Sequence, residues 1–85
     1  MKMSYDQVKQ ASKTIIGIKQ AVKAMYAGQV TALFVAIDAD KWVTDPAILL
    51  AKEIGVPVNY VDSKKELGKA CGIHVGAAVV AITAM

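Results

Sequence analysis

The run Ala32-Leu33-Phe34-Val35-Ala36-Ile37 constrains this chain more than any other stretch. Six consecutive apolar residues between Thr31 and Asp38 are too few for a good helix. They fit a central strand buried on both faces. Such a strand needs a covering layer on each side, so helices must lie on both faces of a sheet.

The remaining chain supplies them by alternation. Ser4 and Gln7 form a capping box for a first helix whose narrow inner stripe is Tyr5, Val8, Ala11 and Ser12. Thr14-Ile15-Ile16 is β-branched and reads as a brief strand running into Gly17. Ile18, Ala21, Val22, Met25 and Tyr26 then recur at helical spacing and predict a second helix, stopped by Gly28. After the Asp38-Ala39-Asp40 turn, Asp45 as N-cap and Pro46 at the first helical position predict a third helix. Its inner face is Ala47, Leu50, Ala51 and Ile54, and Gly55 ends it, with Trp42 and Val43 anchoring the preceding loop on the core. Val56–Val61 is a strand in which Pro57 marks a beginning or an edge position. Ser63 and Glu66 open a short helix through Leu67 and Ala70 that ends at Gly72. A loop, Ile73-His74-Val75-Gly76, leads into the last strand, 77–82. The expected architecture is an α/β fold, a three-layer α/β/α sandwich around a mixed four-stranded sheet, with all 85 residues in one domain.

Composition excludes several classes. The chain is 55% hydrophobic, yet much of that is Ala and Val, and no run approaches the ~20 residues of a spanning helix. The N-terminus leads into an amphipathic helix rather than a signal sequence, so the reading is a cytoplasmic protein with no membrane partner. One cysteine, Cys71, allows no internal disulfide and no cysteine metal pair, and its spacing from Leu67 and Ala70 makes it a small core residue. The formal net charge of +3 leans towards an anionic partner.

The stretch with the chemistry to meet such a partner is Gly17-Ile18-Lys19-Gln20-Ala21-Val22-Lys23. Lys19, Gln20 and Lys23 fall within about 100° of one another on a helix, giving its first turns a basic and amide face. Gly17 leaves open access to a helix start whose free N–H groups favour phosphate oxygens. A solvated helix face is the plain alternative. Asp38 and Asp40 at a strand end resemble a divalent-metal pair, the basis for a rival reading as a nucleotide-binding enzyme. Their plain alternative is to turn the chain and accept backbone N–H bonds. Gly68-Lys69 lacks the first glycine and the hydroxyl of a phosphate loop. His74 has no local acid–base partner, and Ile73 and Val75 beside it either fold into the core or form a small apolar contact surface.

Three stretches stand together in an order and spacing that resemble one protein group: Gly17–Lys23, Ala36-Ile37-Asp38-Ala39-Asp40, and Ser63 through Ile73 with its Leu-Gly-Lys-Ala-Cys-Gly segment. The chain is similar along essentially its whole length to the kink-turn RNA-binding ribosomal-protein family of archaeal L-seven-Ae and eukaryotic L-thirty-e, nearest its small bacterial branch. The resemblance implies a non-enzymatic, cofactor-free and metal-free bacterial protein, a monomer. Its partner would be an RNA with a kink-turn, a duplex sharply bent at a bulge beside tandem sheared G·A pairs, in ribosomal RNA or a riboswitch. By that resemblance Gly17, Ile18, Lys19, Gln20 and Lys23 meet the G·A pairs and nearby phosphates, and Ile73, His74 and Val75 hold the flipped bulge nucleotide. A structural ribosomal protein that binds one site only within the assembled particle is the alternative. Many members of the family carry Asn-Glu where this chain has Lys19-Gln20, so the hydrogen-bond pattern offered to guanine differs. Lys41 also replaces a proline common after the acidic turn.

Overall fold

A computed structural model describes Val8 and residues 13–83. The remainder of the expected first helix, with its Ser4 capping box, lies outside the described residues. The elements that follow are β1 (Thr14–Ile16), α1 (Ile18–Tyr26), β2 (Val30–Ala36), α2 (Lys41–Ile54), β3 (Val58–Val61), α3 (Lys64–Ala70) and β4 (Val79–Thr83). The strands form one sheet in the order β1-β4-β2-β3. β4 runs antiparallel to both β1 and β2, and β2 runs parallel to β3. The mixed four-stranded sheet is therefore present, and Pro57 precedes a strand that is indeed an edge.

β2 behaves as its apolar run requires. Alternate residues feed two separate cores: Leu33 and Val35 pack under α1 and α2, while Ala32, Phe34 and Ala36 pack on the other face with Val8, Val61 and Leu67 of α3. Phe34, Leu33 and Val35 are each at most 2% exposed, so from Ala32 to Ala36 this strand has no solvent side. The result is the three-layer sandwich.

Three local expectations are corrected. In α1 the buried residues are Ala21, Ala24 and Met25, with Ile18 and Val22 half-buried. Tyr26 is 76% exposed, because the buried stripe is centred further towards Ala24 than the apolar spacing suggested. α2 begins a full turn early: Asp40, in extended conformation, is the N-cap, and its carbonyl accepts from Val43 and Thr44 at 3.0 and 3.2 Å. Pro46 thus sits inside the helix, where it forfeits the hydrogen bond to the Trp42 carbonyl. Trp42, carried into the helix, points outward at 78% exposure instead of anchoring a loop. Gly28 and Gly55 end α1 and α2 in the left-handed conformation, as their positions required.

Candidate nucleic-acid interface

Sheet topology brings distant segments of sequence to one end of the molecule. β1, β2 and β3 finish there and β4 starts there. Gly17, just past β1, donates to the Val79 carbonyl at 3.0 Å, tying the start of α1 to the start of β4. Ala36 N–H reaches the Ala78 carbonyl at 3.0 Å, and Ile37 N–H the Val61 carbonyl at 2.8 Å. The start of α1, the Asp38–Asp40 turn, the start of α3 and the loop before β4 therefore share one rim.

Gly17 is required for its backbone. It has φ +104°, where a side chain is strained, while a Cβ there would meet nothing within 4 Å. This conformation turns the chain directly from strand into helix. Ala21 N–H is the first to close on the turn, donating to the Gly17 carbonyl at 2.9 Å, so the N–H groups of Ile18, Lys19 and Gln20 precede the helical ladder. The first turn holds no acidic residue that would offset their partial positive charge. Lys19, Gln20 and Lys23 are all exposed, and Gln20 and Lys23 rim an open depression with Thr14, Ile16 and Gln29. Ile18 belongs to the core side, its side chain packed against the first cluster. It is half-buried, so its backbone N–H and only part of its side chain are open at the surface.

The loop before β4 divides between the two readings left open for it. Ile73 is half-buried against the second core. His74 is exposed, and Val75 is 70% exposed. α3 ends by donating Ile73 N–H to the Gly68 carbonyl at 3.1 Å and Gly72 N–H to the Lys69 carbonyl at 3.0 Å, a Schellman closure that aims the chain back along the helix. The loop then lies directly on α3. A Cβ on Gly68 would collide with the Val75 carbonyl oxygen, with the Val75 carbonyl carbon 3.1 Å and Gly76 Cα 3.3 Å away. Gly76 in turn sits where a Cβ would press on Lys64 Cβ at 3.2 Å.

Lys64 is the junction of the rim. Its carbonyl accepts from Ala77 at 3.0 Å, and its N–H donates to Asp38 Oδ1 at 2.9 Å. Ser63 caps the same helix by accepting from Glu66 N–H at 3.2 Å, as its spacing predicted. Asp38 thus has the plain role, accepting a backbone N–H, though from a residue far along the chain. Among the described residues no three His, Cys, Asp or Glu side chains come together as a metal would require. The supporting roles of Gly68 and Gly76, and the distance along the chain of the donor that Asp38 accepts from, were missed from sequence. Gly68 had a signal: a glycine inside a short capped helix calls for a close contact. Lys64, Lys65 and Lys69 add exposed positive charge beside the loop, with Lys69 3.7 Å from Glu66. Cys71 is half-buried, and burial pushes its thiol pKa up against the lowering effect of a hydrogen bond with Thr14.

An α/β/α sandwich that gathers an open helix start, a basic helix face and an apolar-tipped loop on one rim is a binding module. The profile of the ribosomal protein L7Ae/L30e/S12e/Gadd45 family matches residues 1–85. The chain belongs to that family. An RNA-binding protein of Geobacillus sp. (strain WCH70) is 54% identical over 80 residues, covering 94% of this chain and 98% of its own. The RNA-binding protein YbxF of Geobacillus stearothermophilus is 51% identical with the same coverage. Among solved structures, the 15.5kD RNA binding protein of Giardia lamblia superposes with a TM-score of 0.86 at 29% identity, covering 95% of this chain and 71% of that one.

Proposed function

We propose that this protein is a non-enzymatic, cytoplasmic RNA-binding protein of bacteria that acts as a monomer to recognise and stabilise kink-turns. The observation that carries the reading is the Gly17-to-Val79 hydrogen bond, which yokes the basic start of α1 to the strand entered from the 73–75 loop. The relatives' description as RNA-binding proteins supports the partner class.

Recognition follows from the chemistry of the rim. Lys19 offers only donors, suited to guanine O6 and N7, and Gln20 both donates and accepts. Lys23, one turn on, neutralises a phosphate, and the free N–H groups at the helix start favour another. The major groove of a straight A-form duplex is too narrow for a helix. A kink opens it, so a protein that binds only the bent form shifts the equilibrium towards it. Val75 offers an exposed apolar contact for a base flipped from the bulge, with His74 beside it and Ile73 holding the loop to the core. No organic cofactor or metal enters this account.

The test is an isolated kink-turn duplex with a fluorophore on each helical arm. Adding protein should bring the arms together, and converting the sheared G·A pairs to Watson–Crick pairs should abolish both bending and binding. Equal affinity for the control duplex would refute kink-turn recognition. The family's ribosomal description favours one second reading, a structural protein of the ribosome. That protein would leave the isolated duplex unbound and engage RNA only within the assembled particle.

A further inference from the structure

We propose that the groove between α2 and the free edge of β3 docks an extended peptide strand from another protein, apolar at alternate positions and carrying a carboxylate where it passes Lys52. This surface is separate from the side chains assigned to RNA.

The groove holds about 390 Å³. Its wall is one stripe of α2, Lys41, Thr44, Asp45, Ile48, Leu49 and Lys52, at the spacing of a single helix face. Its floor is the end of β2 with Ile37, and Tyr60 of β3. Leu49, Ile37 and Tyr60 are 63%, 55% and 48% exposed, an apolar lining left to water.

The strand beside it has an open side. Leu33 of β2 and Ile37 just past its end donate to the carbonyls of Pro57 and Val61 at 2.9 and 2.8 Å. In a parallel ladder alternate residues bond to the same neighbour, so Val58 and Tyr60 turn their N–H and C=O groups away from β2. β3 is the edge of the sheet, and among the described residues no backbone group meets Val58 or Tyr60 on that side. An incoming strand would therefore gain main-chain bonds from the edge and pockets for every second side chain.

Size and charge select the occupant. From Lys41 to Lys52 α2 rises about 16 Å, the span of roughly five extended residues. Asp45 balances Lys41 one turn away. Lys52 has no acidic counterpart in the wall, and among the described residues neither lysine is ion-paired. A carboxylate at that end completes the groove. A second copy of the chain fits poorly, because the only β3 side chains it could bring to this face are Val58 and Tyr60. Val58 already packs on its own core, and Tyr60 already lines its own groove.

The experiment selects random nonapeptides from a displayed library on the folded protein and measures the enriched sequences by fluorescence polarisation. Peptides with alternating apolar residues and a terminal Asp or Glu should emerge. Their affinity should fall at least tenfold on Lys52→Glu and on Leu49→Asp, both exposed positions whose variants should stay folded and lose only a few degrees of melting temperature, through the helix dipole and helix propensity. It should stay within twofold on Lys23→Ala. N-methylating the peptide nitrogens that face β3 should abolish binding, while methylating the intervening ones should not. The proposal is overturned if no peptide is enriched or if the enriched peptides depend on Lys19 and Lys23. It is equally overturned if N-methylation has no effect, if single-stranded RNA displaces them from the groove, or if the surface instead forms a dimer that the peptides do not dissociate.

Discussion

Replacing Gly68 by alanine tests how the loop is held, because two effects of opposite sign compete there. In an exposed helix interior, Gly→Ala stabilises by about 1 kcal/mol through lower backbone entropy in the unfolded chain. Gly68 is buried, and its Cβ would occupy the space of the Val75 carbonyl oxygen. The nearest atoms are all backbone, so no side chain can swing aside. The loop must instead retreat by roughly an ångström to restore van der Waals separation. Overpacking of this kind costs about 1–3 kcal/mol, so the net change in Gly68→Ala is a loss of up to ~2 kcal/mol. The displacement falls on Val75, so kink-turn affinity should drop as well. Chemical denaturation gives the stability, and titration of a labelled kink-turn gives the affinity. Gly72→Ala is the control, since its φ of +81° is strained for alanine while no atom lies within 4 Å. It should lose about 1 kcal/mol by strain alone and leave Val75 in place. If Gly68→Ala came out more stable than wild type with unchanged RNA affinity, the seating of the loop on α3 would be wrong.

Four further outcomes follow from the same geometry. Ile73→Ala should cost about 1–2 kcal/mol of stability, since a half-buried isoleucine forfeits part of the 2–5 kcal/mol of a core truncation. Val75→Ser should stay within about 0.5 kcal/mol of wild type by denaturation, yet weaken kink-turn binding by ~1 kcal/mol or more. Lys23→Ala should lower the salt slope of RNA binding by about one unit across sequences, whereas Lys19→Ala should cost about 1–3 kcal/mol and relax the preference for the G·A guanines. Cys71 should react with iodoacetamide more slowly than a free thiol at the same pH and gain rate only at higher pH, because burial favours the neutral thiol; a rate equal to that of a model thiol at pH 8 would contradict the packing.

The parts of the fold legible in the sequence were those decided by neighbours in the chain. Thr14–Ile16, the Ser63 cap and the left-handed ends at Gly28, Gly55 and Gly72 depend on a few adjacent residues, and each stands where the spacing put it. The start of α2 was misread for an instructive reason. Asp45-Pro46 has the chemistry of a helix start, but Asp40 takes that role five residues earlier and Thr44 turns inward, 3% exposed, to continue the buried face. A favourable local signal lost to packing across the layers. Tyr26 failed differently: period alone cannot say which edge of an apolar stripe is covered, and the cover falls on Ala24 and not on Tyr26.

The candidate site is less legible than the fold because its supports are not local. Lys19, Gln20 and Lys23 could be grouped from helical geometry, but nothing in their spacing shows that residue 17 will bond to residue 79. Asp38 makes the point most sharply. An acidic residue after a buried strand suggests a metal or a turn, and its carboxylate instead holds the N–H of Lys64, 26 residues on. Through Lys64 the bond reaches Ala77 and Gly76, so one carboxylate fixes the acidic turn, α3 and the loop as a unit. A carboxylate on a helix N-terminus contributes about 0.5–2 kcal/mol, and Asp38→Ala should lose that much stability. If the unit also sets the loop's position, the variant should release kink-turn RNA faster while its association rate, governed by the lysines, stays near wild type. Asp38→Asn, which keeps an acceptor oxygen, should restore most of the residence time. Should the asparagine variant release RNA as fast as the alanine variant, the charge of Asp38 and not its hydrogen bond would be what the rim requires.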